Sequence, residues 1–193
     1  MKNNLKIAGL LIGLGALYFI VAMMLSEALY PGYSISNNYI SDLGVGPSAW
    51  LFNSSIDLLG VLITIGSYFL YLELRDKIFT ALVFIAGASA MGVGMFNESF
   101  GVIHILVSAA VFVAGSIAAI YFGIKWNTPL RYPSIVLGVI SLSATALLES
   151  GVYMGLGPGG MERMIVYPTL LWAILFSGSL LTLKTIGNSR HKN

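Results

Sequence analysis

Asp57, Glu98, His104 and Glu149 are the side chains with which this sequence could do chemistry. Asp57 and Glu149 interrupt long apolar runs, and His104 begins another. An ionisable side chain inside a membrane span costs about 2.5–3.5 kcal/mol on insertion scales, so it normally faces a bundle interior and has a partner. Asp57 stands about seven residues into its run, roughly 10 Å deep at 1.5 Å per residue. Glu149 stands about six residues before the end of its predicted run, at a depth of roughly 9 Å. In "NESFGVIHILVS" the acid Glu98 precedes His104 by a short turn, and Ser108 follows His104 on the same helical face. Carboxylates beside an imidazole suit acid/base work. His104, Asp57 and Glu149 could also hold a divalent metal such as zinc with an open water position. No H-E-x-x-H or G-x-S-x-G pattern narrows the choice. There is no Cys, which removes thiolate ligands and nucleophiles.

A second group suits ligand binding: Asn38, Asp42, Asn53, Tyr153, Glu162 and Arg163. Asn38 and Asp42 belong to "YPGYSISNNYISDLGVGPS", a polar loop expected to roof the place where the acids converge. Arg163 is expected to meet one of the acids, locking a buried carboxylate or gripping an anionic group. The Gly155–Gly160 stretch ahead of it reads as a tightly turned loop with backbone able to approach a ligand.

The elements that position these residues follow from composition. Of 193 residues, 57% are hydrophobic and 9% charged, against about 25% charged in soluble domains. That excludes a soluble globule, and no basic patch points to nucleic acid. Six runs reach the roughly 20 apolar residues that a spanning helix needs. They fall at about 5–29, 49–74, 78–96, 101–124, 132–155 and 161–183. The apolar part of the first exceeds a signal-peptide core. The expected architecture is all-α, a single six-helix transmembrane bundle. Every Lys and Arg except Arg163 falls on the side of the termini, which places both termini in the cytoplasm of a cell-membrane protein. Glu73 and Asp76, beside Arg75 and Lys77, read as solvated charge. The other acids, Glu27, Asp42, Asp57, Glu98, Glu149 and Glu162, map to the opposite side. Small residues spaced by four, such as Gly9 and Gly13 or Ala90 and Gly94, suit close packing within the bundle. Trp50 and Trp126 suit interfacial belts.

The segments Tyr30–Gly44, Leu51–Gly60, Gly92–Gly115 and Met161–Trp172 together resemble an archaeal and bacterial membrane group called domain of unknown function 998. The Y-P-G-Y…S-D-L-G loop and the N-E-x-x-G-x-x-H turn carry the likeness. The resemblance implies a six-helix polytopic protein and implies no reaction.

Three functions follow. The first is a carboxylate- and His-lined pocket at the outer side that binds a lipid headgroup, small molecule, ion or partner. The second is an intramembrane hydrolase or transferase on a lipid, with or without a metal. The third is an ion- or proton-coupled transporter, against which the inner half offers no matching polar line. The bilayer is the certain partner, and no oligomeric state can be read.

Overall fold

The computed structural model describes residues 2–182. Leu183 and the tail residues Lys184, Arg190, His191 and Lys192 lie outside the described residues. The described chain is all-α. Its long helices are α1 (Lys2–Ala28), α2 (Ala49–Leu74), α3 (Lys77–Met95), α4 (Val102–Lys125), α5 (Arg131–Glu149) and α6 (Gly157–Thr182), with 3-10 turns at Ser41–Gly44 and Glu98–Phe100. All six helices are long and apolar enough to cross a membrane. Their outward faces carry exposed Leu14, Met24, Leu106 and Val136, as hydrocarbon surroundings require.

Each helix packs on its neighbours in the chain, α1 closes the ring on α6, and α4 reaches α6 across the middle. Small residues bring backbones together. A Cβ on Gly94 would stand 2.2 Å from Asp57 Oδ1 and 2.7 Å from the Asn53 carbonyl, so α2 and α3 nearly touch. A Cβ on Gly13 would stand 2.2 Å from Ser177 Oγ, and that hydroxyl donates to the Gly9 carbonyl. The small-residue faces of α1 and α3 are thus spent inside the bundle, as expected. The Gly9–Ser177 bond also brings the start of α1 beside the end of α6. We call that the termini end, and its opposite the loop end.

Aromatic rings plug the termini end. Phe79, Phe122 and Phe176 are fully buried, with centroids 5.1–5.9 Å apart. Trp126 stacks on Phe122 at 5.3 Å, so it packs into this plug as well as lying near a helix end. Trp172 lies 5.2 Å from Phe176 and donates to Ser134 Oγ at 3.0 Å. Asp76 corrects an expectation. It is only 5% exposed. It caps α3 by accepting from Phe79 N–H at 3.0 Å, and it pairs with Lys125. Burial raises its carboxyl, but Lys125 and the Phe79 N–H outweigh that and hold it below the ordinary range.

Two helix ends also differ from expectation. α5 stops at Glu149 rather than Gly155. Gly151 takes φ 72°, and Gly151 and Val152 donate back to Leu148 and Leu147, both at 2.9 Å. That is a glycine-terminated helix end whose last carbonyls are satisfied. α6 begins earlier, so Gly157 through Gly160 form its first turn rather than a loop. Pro158 suits this position, where its missing N–H costs nothing. A Cβ on Gly159 would fall 1.9 Å from the Asn38 carbonyl. The protein's own loop takes up the close approach that this glycine allows.

Candidate functional site

Residues 30–48 form a fastened roof over the loop end. Asp42 Oδ2 accepts from Asn38 Nδ2 at 2.8 Å and from Tyr39 N–H at 3.1 Å. Asn38 Oδ1 accepts from Ser34 N–H at 3.0 Å. Asn53 Nδ2 holds the Gly44 carbonyl at 2.9 Å, and Ser48 Oγ holds the Ser26 carbonyl at 3.0 Å. Asn38, Asp42 and Asn53 are therefore committed to holding the loop's shape.

Arg163 is the central fastener. It is 5% exposed. Its Nη1 donates to the carbonyls of Ile35 and Gly159, both at 2.9 Å. Its Nη2 donates to Glu27 Oε1 at 2.5 Å and to the Tyr33 hydroxyl at 2.8 Å. Arg163 does meet an acid, and the acid is Glu27 at the end of α1. No terminal guanidinium nitrogen is left to grip an anionic ligand. Tyr33 passes its own proton to the Tyr39 carbonyl at 2.8 Å. Burial pushes its hydroxyl up to about 12 against the pull of Arg163, so it remains a neutral relay between the charge and the backbone. Beside Arg163, Glu162 accepts from Ile40 N–H and pins the roof a second time.

Two cavities lie beneath the roof. The first, about 320 Å³, opens between α4, α5 and α6. Its polar lining is Glu98, His104, Ser108, Thr145, Glu149 and Glu162, with Tyr39 and Ser41 above. The second, about 90 Å³, runs down the centre of the ring among Phe19, Ile56, Leu59, Ala90, Val166 and Leu170. Ser41, His104, Ser108, Phe112 and Glu162 line both. A polar chamber and an apolar channel thus lie side by side, sharing these residues as a common wall.

His104 sits at the junction, 8% exposed. Its Nδ1 lies 2.8 Å from the Phe96 carbonyl. A carbonyl can only accept, so Nδ1 carries a proton, and in the neutral form of the ring Nε2 is left as the acceptor. Ser108 Oγ lies 3.4 Å from Nε2. The N-E-x-x-G-x-x-H turn produces this geometry. Gly101 takes φ 56°, lets the chain reverse into α4, and so returns His104 to the Phe96 carbonyl.

Glu98 enters the chamber from its 3-10 turn and accepts from Ser41 Oγ at 2.8 Å. Burial pushes its carboxyl above the ordinary range, against the pull of the Ser41 hydroxyl. Glu149 also reaches the chamber. It does so as the exposed last residue of α5, at the mouth and not at depth. Asp57 is absent from both linings. It lies against Gly94, with a buried Oδ1 that has no partner among the described residues. The set His104, Asp57 and Glu149 is therefore not brought together. Among the described residues no three His, Asp or Glu side chains are arranged to hold a metal ion. Tyr153 belongs to the loop after α5. Burial, and next a hydrogen bond with Tyr153, push the Tyr39 hydroxyl up to about 12.

The sequence reading missed Thr145 and Phe112 in the chamber. A signal for both existed. Thr145 stands four residues before Glu149, and Phe112 four after Ser108, each on the same helical face.

No curated protein and no solved structure matches the chain. A protein family does match, over residues 13–179. That stretch takes in the roof, both cavities, α2 to α5 and most of α1 and α6. The chain is a multi-pass membrane protein, and it belongs to the family described as "Protein of unknown function (DUF998)".

Proposed function

We propose that this protein binds an amphiphile at its loop end, with the polar head in the chamber and the hydrocarbon part in the channel. The observation that supports this reading is the wall shared at His104, Ser108 and Phe112, where a carboxylate-lined space adjoins an apolar one. A free ion would have no use for the channel, and a plain hydrocarbon none for the chamber. The distribution of Lys and Arg supports a loop end facing away from the cytoplasm and termini facing into it. The aromatic plug of Phe79, Phe122 and Phe176 at the opposite end argues against a through path for ions.

The test is native mass spectrometry of the purified full chain released from a neutral detergent. A retained lipid of one mass class is expected, and Ala109→Trp, which fills the chamber, should abolish it. A protein that retains nothing, or retains the same mass in Ala109→Trp, overturns the reading.

One observation favours a second reading, an intramembrane hydrolase or transferase acting on that amphiphile. The His104 tautomer leaves Nε2 toward the Ser108 hydroxyl, as a general base would need. Ester hydrolysis by the purified protein, lost in both Ser108→Ala and His104→Gln, would establish it. Hydrolysis that persists in either variant would remove it.

A further inference from the structure

We infer that the chamber selects a cationic, proton-donating head group, an ammonium, over neutral or anionic ones. This rests on the amphiphile reading and names the class of molecule that the site would take.

Hydrogen-bond accounting in the chamber leads there. Among its lining residues are three carboxylates, Glu98, Glu149 and Glu162, and no Lys or Arg. The nearby guanidinium, Arg163, is not part of the lining; both its terminal nitrogens are tied to Glu27, Tyr33 and roof carbonyls, and only its buried Nε has no partner among the described residues. Two of the hydroxyl protons are also taken. Ser41 donates to Glu98 at 2.8 Å. Thr145 donates to the Ser141 carbonyl at 2.9 Å. Ser108 faces His104 Nε2. Of the lining hydroxyls, those of Tyr39 and of Ser108, whose contact with Nε2 is a long 3.4 Å, are left to donate.

Acceptors remain in excess. Glu162 is 8% exposed, and its one hydrogen bond, from Ile40 N–H, goes to Oε2. The Ser41 backbone N–H also approaches this carboxylate, and among the described residues no side chain donates to its Oε1. His104, equally buried, offers Nε2 with only the long contact to Ser108. Two nine-tenths-buried side chains thus bring acceptor atoms to the cavity without a strong protein donor. Buried acceptors and carboxylates left unpaired cost free energy. An ammonium carries three donors and a positive charge, and it meets both deficits. A phosphate or carboxylate head would bring acceptors to acceptors and negative charge to negative charge, which discriminates against it.

The test uses the full chain in a neutral detergent at about pH 7, below the micelle-forming concentration of each probe. The probes are dodecylamine, dodecanol, dodecyl phosphate and tailless ethylamine, and binding is read by ligand-induced thermal stabilisation. Dodecylamine should bind at least about tenfold more tightly than each of the others. The pair Glu98→Gln and Glu149→Gln should erase about tenfold of the preference for dodecylamine over dodecanol. Dodecyl phosphate or dodecanol binding as tightly as dodecylamine would overturn the head-group inference and leave the amphiphile reading standing. An amine preference that survives in the double variant would do the same. Ethylamine binding as tightly as dodecylamine would overturn the need for a tail. Failure of all the dodecyl probes would take the amphiphile reading down as well.

Discussion

Arg163→Ala should release the roof. The side chain is 6% exposed and its partner Glu27 is 16% exposed, so the pair lies near the buried end of the range. Removing one partner of a buried pair costs about 3–5 kcal/mol, because the other charge is left without compensation. Water can reach Glu27 once the guanidinium is gone, so the lower figure applies. About 3 kcal/mol corresponds to a factor of roughly 10² in the closed-to-open ratio of the roof, at 1.36 kcal/mol per decade. The readout is amide hydrogen exchange at Asn38 and Gly159, whose N–H groups are held by the Ser34 and Ser36 carbonyls. Arg163→Lys should recover only a small part. One ammonium cannot reach the Ile35 and Gly159 carbonyls, Glu27 and Tyr33 at once. In Glu27→Gln the effect of Arg163→Ala should shrink, since the two changes remove the same pair. Exchange within twofold of the parent at both amides in Arg163→Ala would refute the fastener role.

Three further outcomes follow from the packing and charges. Gly94→Ala should cost about 1–3 kcal/mol because its Cβ would meet Asp57 and backbone, whereas Gly178→Ala, with open space around it, should gain about 0.5–1 kcal/mol; thermal unfolding in detergent distinguishes them. Asp76→Ala should cost at least the roughly 1 kcal/mol of a lost helix cap, and because the folded carboxyl sits below its ordinary range, that difference should fade as pH falls through the range. Glu98 runs the other way: burial raises its carboxyl, so the folded protein holds the proton longer and loses stability as pH rises past the ordinary carboxylate range. Glu98→Gln should match the parent at about pH 4 and be more stable at about pH 7, and equal unfolding temperatures throughout would contradict this.

The six passes were legible because length and apolar composition alone decide them, and α2 matched its predicted bounds at Ala49–Leu74. The end of α5 was not, because apolar residues continue past it and only the positive φ of Gly151 stops the helix. That single turn moves Glu149 from a buried depth to the chamber mouth. Asp76 was misread because its neighbours Arg75 and Lys77 look like its partners, while the actual partner, Lys125, comes from another helix. Asp57 and His104 both read as membrane ionisables. Which faces the cavity depends on the rotation of α2 and α4, and with Gly94 drawn against Asp57 that rotation is set by packing between helices distant in sequence. The local turn that orients His104 was visible as N-E-x-x-G-x-x-H, since every residue it needs lies within one short segment.

The most direct measurement is photolabelling of the full chain with a dodecylamine carrying a diazirine near the end of its tail, followed by peptide mapping. Labels are expected on channel residues such as Phe112, Val166 and Leu170, and they should disappear in Ala109→Trp. Labels confined to outward-facing positions such as Leu14, Met24 and Leu106, unchanged by Ala109→Trp, would mean that the chamber and channel hold no amphiphile.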